Sequence, residues 1–504
     1  MTQQIVLFGA GKSATCLIDY LLKEAAQSNW MIVVADANEA AARQKIGNHP
    51  NATAIAADVT QPEQRKALIE NASIVISLLP PALHLLVAKD CIAHGKNLLT
   101  ASYVDDNMRA LEKDIQQKGL LFLCEMGLDP GIDHMSAMEL LHRIYEDGGI
   151  VTSFKSHCGG LVAPESDDNP WHYKISWNPR NVVMAGKAGA VYKENGHTIQ
   201  LDYENLFDAG RTVAIPGLGN LAWYPNRDSL SYTALYGIEN AATFIRTTLR
   251  YPAFCFGWKN IIDLKLTDEE KKYETDGLSL QQFFKQHLEA NGFGDWLHQQ
   301  LMSRFDRTKE LLKNLQQLLD AEATATPAEK EAMQEFLTVD ETGALETLNL
   351  ESIKNNTAAT VSGQMHEANL SLSQLFFLGL DDDKTQINKG LCSAADVLQF
   401  ALEKKLLLQA EDKDMIVMLH EIEYTINQRN YQARSSLIVK GEDSNRTGMA
   451  KTVGLPLGIA AKLILNGTIT TKGLHIPILP EIYQPVLAAL KEQQIIFNEI
   501  TQVA

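Results

Sequence analysis

Ile5-Val6-Leu7-Phe8-Gly9-Ala10-Gly11-Lys12-Ser13-Ala14 decides the fold class of this chain. Its four apolar residues predict a short buried strand, and the run Thr15 to Leu22 after it predicts a helix. Between them, the GxGxxA spacing lets the backbone turn sharply at Gly9 and Gly11 and approach a pyrophosphate. The small Ala14 lets the helix pack close. The helix start offers free N–H groups and a positive dipole end. Lys12 and Ser13 read as phosphate contacts, against solvent exposure for Lys12 and helix capping for Ser13. A second strand, Met31 to Ala35, ends at Asp36, where an acid accepts hydrogen bonds from ribose hydroxyls and repels a 2′-phosphate. That reading prefers NAD and keeps NADP open; the alternative is a cap for the helix Asn38 to Ile46.

Outward from this unit the alternation continues. Strands are predicted at Ile55 to Ala57, Ile74 to Leu79 and Lys96 to Thr100, with helical segments at Glu63 to Glu70, His84 to His94 and Asp106 to Lys118. Strand alternating with helix predicts an α/β, Rossmann-type, doubly wound parallel sheet over residues 1–124. Leu79-Pro80 and Thr100-Ala101-Ser102-Tyr103 fall at carboxyl ends of later strands, where a nicotinamide is expected. Next comes a strand, Gly119 to Cys124, and the turn Glu125 to Met135, before a helix from Ser136 to Tyr145. Gly and Pro let this turn hold side chains in a set geometry, and its bland alternative is a tight connection whose Asp residues cap the helix.

The texture then changes to a mixed α/β pattern. A strand, Thr152 to Cys158, leads into a long polar loop, and weak β-patterns recur at Ala190 to Asp202. Pro225 to Ser229 reads as a turn with a charged tip, and Thr247 to Tyr251 as the end of a helical segment. From about 259 to 408 the signal is helical, with Leu311, Leu315, Leu318 and Leu319 on one face and acid-rich loops at Ala321 to Pro327 and Asp381 to Lys384. Strands return at Met415 to Met418, Ile422 to Ile426 and Ser435 to Val439. An apolar helix, Gly448 to Leu465, and a Pro-marked segment, Gly473 to Pro480, precede a last helix. The expected organisation is a nucleotide domain (1–124), a substrate and dimerisation domain in two parts (125–258 and 409–504), and an inserted helical domain (259–408).

Across 504 residues, 62 acids outnumber 45 bases, a formal charge of −17 that argues against a nucleic-acid or anionic-membrane partner. The six cysteines are scattered without metal-ligand spacing, and His134, His157 and His172 also lack it, so no metal site is expected. Met-Thr-Gln-Gln leads straight into a strand without a basic region, which reads as no signal peptide and a cytoplasmic chain. Ile74 to Ala88, the most membrane-like run, is broken by Pro80, Pro81 and His84.

Several stretches carry a family resemblance: Ser77-Leu78-Leu79-Pro80, Thr100 to Tyr103, Gly127-Leu128-Asp129-Pro130-Gly131-Ile132-Asp133-His134-Met135, Cys158-Gly159-Gly160-Leu161, Tyr173 to Trp177, Tyr224 to Ser229, Thr248-Leu249-Arg250-Tyr251, Ala450 to Pro456 and Pro480 to Tyr483. In this order they resemble the glutamate-forming saccharopine dehydrogenases, and the chain is similar to the dehydrogenase half of the animal bifunctional aminoadipic semialdehyde synthase. The other, lysine-ketoglutarate reductase half is expected to be absent, since the chain begins at its nucleotide motif. The resemblance implies a reversible step of lysine metabolism, in which saccharopine, NAD(P)+ and water give glutamate, 2-aminoadipate 6-semialdehyde and NAD(P)H. It also implies a homodimer.

Saccharopine carries three carboxylates, so its site needs fixed cations, and Arg gives planar, bidentate contacts that Lys cannot. Arg227 and Arg250 match the family's substrate positions; for either alone the alternative is a surface ion pair. The resemblance adds Ser102, Tyr103, Asp129, Thr248 and Leu249 on the substrate side, and Leu128, Asp129 and Pro130 near the cofactor. Asp129, Tyr103 and Cys158 are the candidate catalytic positions. Cys158 reads as ordering the site, because hydride transfer from an amine needs no covalent intermediate, and its alternative is a small buried residue. The proton carrier stays open among Asp129, Tyr103, Lys174 and water. Asp133 and His134 read as starting the helix. Two other readings stay in view: a carboxynorspermidine dehydrogenase-like enzyme and a non-catalytic nucleotide-binding protein.

Overall fold

The central early strands are apolar on both faces, and the fold follows from that. In the computed structural model, which describes residues 2–207, 210–293, 335–339, 345–349, 367 and 369–503, strand β1 (Gln3–Phe8) sends Ile5 and Leu7 into one core and Val6 and Phe8 into another. A strand buried on both sides must be covered by helices on both sides, as in a parallel sheet. β2 (Trp30–Asp36), β3 (Ala52–Ala56), β4 (Ile74–Ser77), β5 (Asn97–Thr100) and β6 (Leu121–Leu123) pair in parallel with it. α1 (Thr15–Ser28), α2 (Glu39–Ile46), α3 (Pro62–Glu70), α4 (Pro81–His94), α5 (Asp106–Arg109) and α6 (Glu112–Gln117) make the crossovers. The sheet has seven strands in the order β20-β6-β5-β4-β1-β2-β3. Chain order therefore reverses between β4 and β1, opening a crevice at their carboxyl ends. The doubly wound α/β expectation is met, with one surprise. The edge strand β20 (Gly473–His475) comes from near the C-terminus and pairs with β6.

α7 (Ile132–Glu146) leads into a second, ten-stranded sheet among the described residues, with the order β10-β11-β13-β7-β18-β19-β21. Its centre is β7 (Ile150–Val162), flanked by β13 (Thr243–Arg250) in parallel and β18 (Asp414–Ile426) antiparallel. β8 (Ala190–Glu194), β9 (His197–Leu201) and β12 (Arg227–Asp228) branch from it, after the short helix α8 (Pro179–Val183). β10 (Thr212–Ile215) and β11 (Gly219–Pro225) form one end, α9 (Thr233–Tyr236) follows β12, and β19 (Arg429–Lys440) and β21 (Asn498–Val503) form the other end. The segment ending at Arg250 is a strand, which corrects the helical expectation. Thr243, Ile245, Thr247 and Thr248 are β-branched, and such side chains favour a pleated surface. Met415 to Met418 and Ile422 to Ile426 are parts of one long strand, with an irregularity between Glu423 and Tyr424.

By length and composition, α13 (Gly448–Leu465) could cross a membrane, yet 61% of it is buried in the protein. It packs on α1 through glycines: a Cβ on Gly454 would lie 2.9 Å from Leu17 N, and one on Gly458 would lie 2.6 Å from the Tyr20 ring. Its apolar character is that of a core helix. α14 (Pro480–Glu492) is the last helix.

Residues 169–171 and 257–405 form a separate unit, entered within α10 (Pro252–Asp263). It contains α11 (Leu280–Ala290), started by a Ser279/Gln282 capping box, and α12 (Ala394–Lys405). Against the purely helical signal, it also holds two antiparallel pairs, β14 (Tyr273–Glu274) with β17 (Leu391–Cys392), and β15 (Glu335–Val339) with β16 (Leu345–Asn349). The Leu311 to Leu319 face and the loop at 321–327 lie outside the described residues.

Candidate active site

Gly9 sits at the crevice with φ +104, and a Cβ there would come within 2.7 Å of Leu78 O, so only glycine fits. Gly11 caps the one-turn 3₁₀ segment Lys12–Ala14, and Ala14 is buried where α1 begins. Asp36 ties this loop to β2: its Oδ2 accepts from Ala10 N at 2.7 Å, and its Oδ1 accepts from Asn38 N at 2.7 Å. Leu79 and Pro80 follow β4 into the start of α4, beside the Gly-rich turn. The sequence-predicted nucleotide residues Gly9, Gly11, Lys12, Ser13, Asp36, Leu79 and Pro80 thus gather at the carboxyl end of one sheet.

Across the crevice lies the turn Glu125 to Gly131. Gly131 has φ +146, and a Cβ on it would lie 2.0 Å from Gly127 O. Gly127 N donates to Pro130 O at 3.0 Å, and Ile132 N returns to Gly127 O at 2.9 Å. Leu128 and Pro130 are buried, which leaves Asp129 as the partly exposed side chain between them. Glu125 holds a left-handed backbone, φ 57, in the buried interior. Its carboxylate accepts from Val104 N at 3.0 Å and Tyr232 OH at 3.2 Å and lies 2.8 Å from His134 Nε2.

Strand β13 supplies the cations. Alternate residues share a face, so Arg246, Thr248 and Arg250 form one row. Arg246 Nη2 donates to Asp129 Oδ1 at 2.6 Å and to Asp133 Oδ2 at 2.8 Å. Tyr103 OH donates to the same Asp129 oxygen at 3.2 Å. The exposed Arg227, with φ 51, lays its guanidinium 5.2 Å from the Tyr103 ring centre. Buried Arg250 donates to Leu249 O at 2.8 Å, lies over the Tyr173 and Phe254 rings, and leaves Nε without a partner among the described residues. Cys158 pairs in register with Thr248. The structure thus brings Tyr103, Asp129 and Arg227 together, with Thr248 and Arg250 further along the row. Leu249 is placed differently: its side chain is fully buried on the other face of the sheet, against Leu161 and Val417.

Comparison with known proteins identifies the architecture. A family model described as the saccharopine dehydrogenase NADP binding domain matches residues 5–123, and one described as the saccharopine dehydrogenase C-terminal domain matches residues 127–496. The chain belongs to the saccharopine dehydrogenase family. It is 31% identical over 507 residues to the Saccharomyces cerevisiae saccharopine dehydrogenase [NADP(+), L-glutamate-forming], covering 100% of both. It is 33% identical to the Arabidopsis thaliana alpha-aminoadipic semialdehyde synthase over 91% of its own length but only 40% of that protein, so it spans less than half of such synthases. The solved apo saccharopine dehydrogenase (L-Glu forming) from Saccharomyces cerevisiae superposes with TM-score 0.77 at 27% identity, covering 99% of this chain and 100% of that one.

Within this family member, the electrostatics separate the two acids of the turn. Burial raises the Asp129 pKa, and Arg246 only partly offsets it. Burial pushes Asp133 up too, but His134, Arg246 and the Gly131 amide outweigh it and hold its pKa below the usual range. Their surroundings thus push these two carboxylates apart in proton affinity. Burial raises Tyr103 and Cys158 far above their ordinary values, so both stay protonated. Lys174 is paired with two acids. Its buried ammonium is committed to Asp168 at 2.8 Å and Asp412 at 2.7 Å.

Two site residues escaped sequence reasoning. Arg246 carried a signal, its alternation with Thr248 and Arg250, which becomes readable only once the segment is a strand. His84 bridges Ser77 Oγ and Ser102 Oγ, each at 2.8 Å, and burial lowers its pKa to about 4. Nothing local marked it. Among the described residues no group of three or more His, Cys, Asp or Glu could hold a metal ion.

Proposed function

We propose that this chain oxidises saccharopine with NADP+ and water to glutamate and 2-aminoadipate 6-semialdehyde, reversibly. The observation that carries this reading is the meeting of Asp129, Tyr103 and Arg227 at the nucleotide crevice, with Arg250 further along the same row of β13. A substrate with three carboxylates and a secondary amine needs cations for the first and a proton acceptor for the second. Bound nucleotide supplies the hydride acceptor. Asp129 takes the proton from the amine nitrogen, and Tyr103, held on Asp129 Oδ1, orients that carboxylate. Arg227 and Arg250 receive carboxylates, and the Ser102 hydroxyl, held by His84, faces the substrate.

We infer NADP in place of the NAD preferred from Asp36. The relatives are named for NADP, and each Asp36 oxygen already holds a backbone amide, which gives this acid a structural duty in the Gly-rich loop. A homodimer belongs to this reading; exposed Ile500 and Val503 on the outer strand β21 support it. All six cysteines are free, which supports a reducing, cytoplasmic location.

The test is spectrophotometric. Purified chain with saccharopine and NADP+ is expected to generate reduced nucleotide faster than with NAD+. Silence with both nucleotides would overturn the reading, and a strong NAD+ preference would restore the Asp36 argument.

A further inference from the structure

We propose that Arg246 is a positioning residue that sets the proton affinity of Asp129, with Asp133 acting on the same carboxylate in the opposite sense. The proposal rests on Asp129 being the proton acceptor assigned above. One nitrogen, Arg246 Nη2, serves both carboxylates, at 2.6 Å and 2.8 Å. The guanidinium is buried, lying 4.5 Å from the Tyr232 ring centre and 5.9 Å from that of Tyr103, while Arg246 N donates to Ser229 Oγ at 3.0 Å. Aromatic faces on both sides and an anchored backbone leave it little freedom to follow a moving partner.

The two acids differ in how firmly they are held. Asp133 is buried, and its Oδ1 accepts from Gly131 N at 2.6 Å, so it is fixed at both oxygens. The Asp129 side chain is 14% exposed, and its protein hydrogen bonds fall on Oδ1 alone. A locked anion therefore sits behind the accessible one, with a shared cation between them. The other groups facing Asp129 are Tyr103 after β5, His134 on α7, Cys158 on β7 and Arg227 across the Tyr103 ring. Among the described residues only Arg246 brings a positive charge within hydrogen-bond distance of Asp129.

Opposite effects on one ionisation distinguish this role from packing. Removing the guanidinium charge raises the proton affinity of Asp129, whereas removing the Asp133 charge lowers it. The experiment measures kcat/KM for saccharopine against pH, with saturating NADP+, in the full chain and in Arg246→Gln, Arg246→Lys and Asp133→Asn. The acid limb is expected to rise by about one to three pH units in Arg246→Gln, to return most of the way in Arg246→Lys, and to fall by about one unit in Asp133→Asn. An acid limb that stays put or rises in Asp133→Asn overturns the proposal, even should Arg246→Gln fail to fold. Absence of saccharopine-dependent turnover in the unaltered chain overturns the proposed function along with it. Turnover with unmoved limbs overturns this inference alone.

Discussion

His84 Nε2 lies 2.8 Å from Ser102 Oγ, so a ring from the first turn of α4 holds a hydroxyl just after β5. Its other nitrogen holds Ser77 at the end of β4. One residue thereby aligns two strand ends that face the crevice. His84→Ala is expected to lower kcat/KM for saccharopine by about tenfold or more, since misplaced site groups are costly even when the chemistry is untouched. Steady-state assay beside a thermal melt checks it; unchanged kinetics would remove Ser102 from the working site.

The same burial has a consequence for stability. His84 and His420 each have a pKa lowered from 6.5 to about 4 by burial. Between pH 6.5 and 4 the unfolded chain binds protons that the folded chain refuses, so stability falls as pH falls through this window. Each ring contributes a slope of about 1.4 kcal/mol per pH unit there. A His84→Gln, His420→Gln double variant is expected to show a flatter dependence of the urea midpoint on pH from 7 to 4.

Arg227 stands in the open, with its guanidinium over Tyr103 and no ion pair among the described residues. Arg227→Ala is expected to raise KM for saccharopine by about 10- to 100-fold, the worth of a charged hydrogen bond. Nucleotide affinity should barely change. Arg227→Lys should recover only part, because an ammonium lacks the planar fork. Titration of NADP+ binding beside substrate kinetics separates the two effects.

Gly131 and Gly148 offer a controlled pair. Both have positive φ, but a Cβ on Gly131 would strike Gly127 O at 2.0 Å, while nothing lies within 4 Å of one on Gly148. Gly148→Ala is expected to cost about 1 kcal/mol, the left-handed penalty alone. Gly131→Ala should cost well over about 3 kcal/mol and abolish the turn that presents Asp129. Comparing their melting temperatures tests this directly.

Cys158 is buried, and burial drives its thiol far from ionisation. It should resist iodoacetamide in the folded chain at neutral pH. Cys158→Ala is expected to keep turnover within about tenfold of the parent, against a loss of about a millionfold when a covalent nucleophile is removed.

Residues 5–14 and the alternation after them determined the parallel nucleotide sheet, because a strand buried on both faces and a glycine turn are local patterns. The same holds for α13, whose helical period is written in adjacent residues, and for the turn at 125–135. The Arg227 and Arg250 positions were legible through motif resemblance. Only the tertiary structure decided that Thr247 to Arg250 is strand, because neighbours β7 and β11 supply its hydrogen bonds from far along the chain. The pairing of β20 with β6, the seat of His84 between two strand ends, and the burial of Arg246 against Asp129 and Asp133 likewise join residues distant in sequence. A charge's role depends on what shares its low-dielectric surroundings, and no local pattern in a linear chain encodes that.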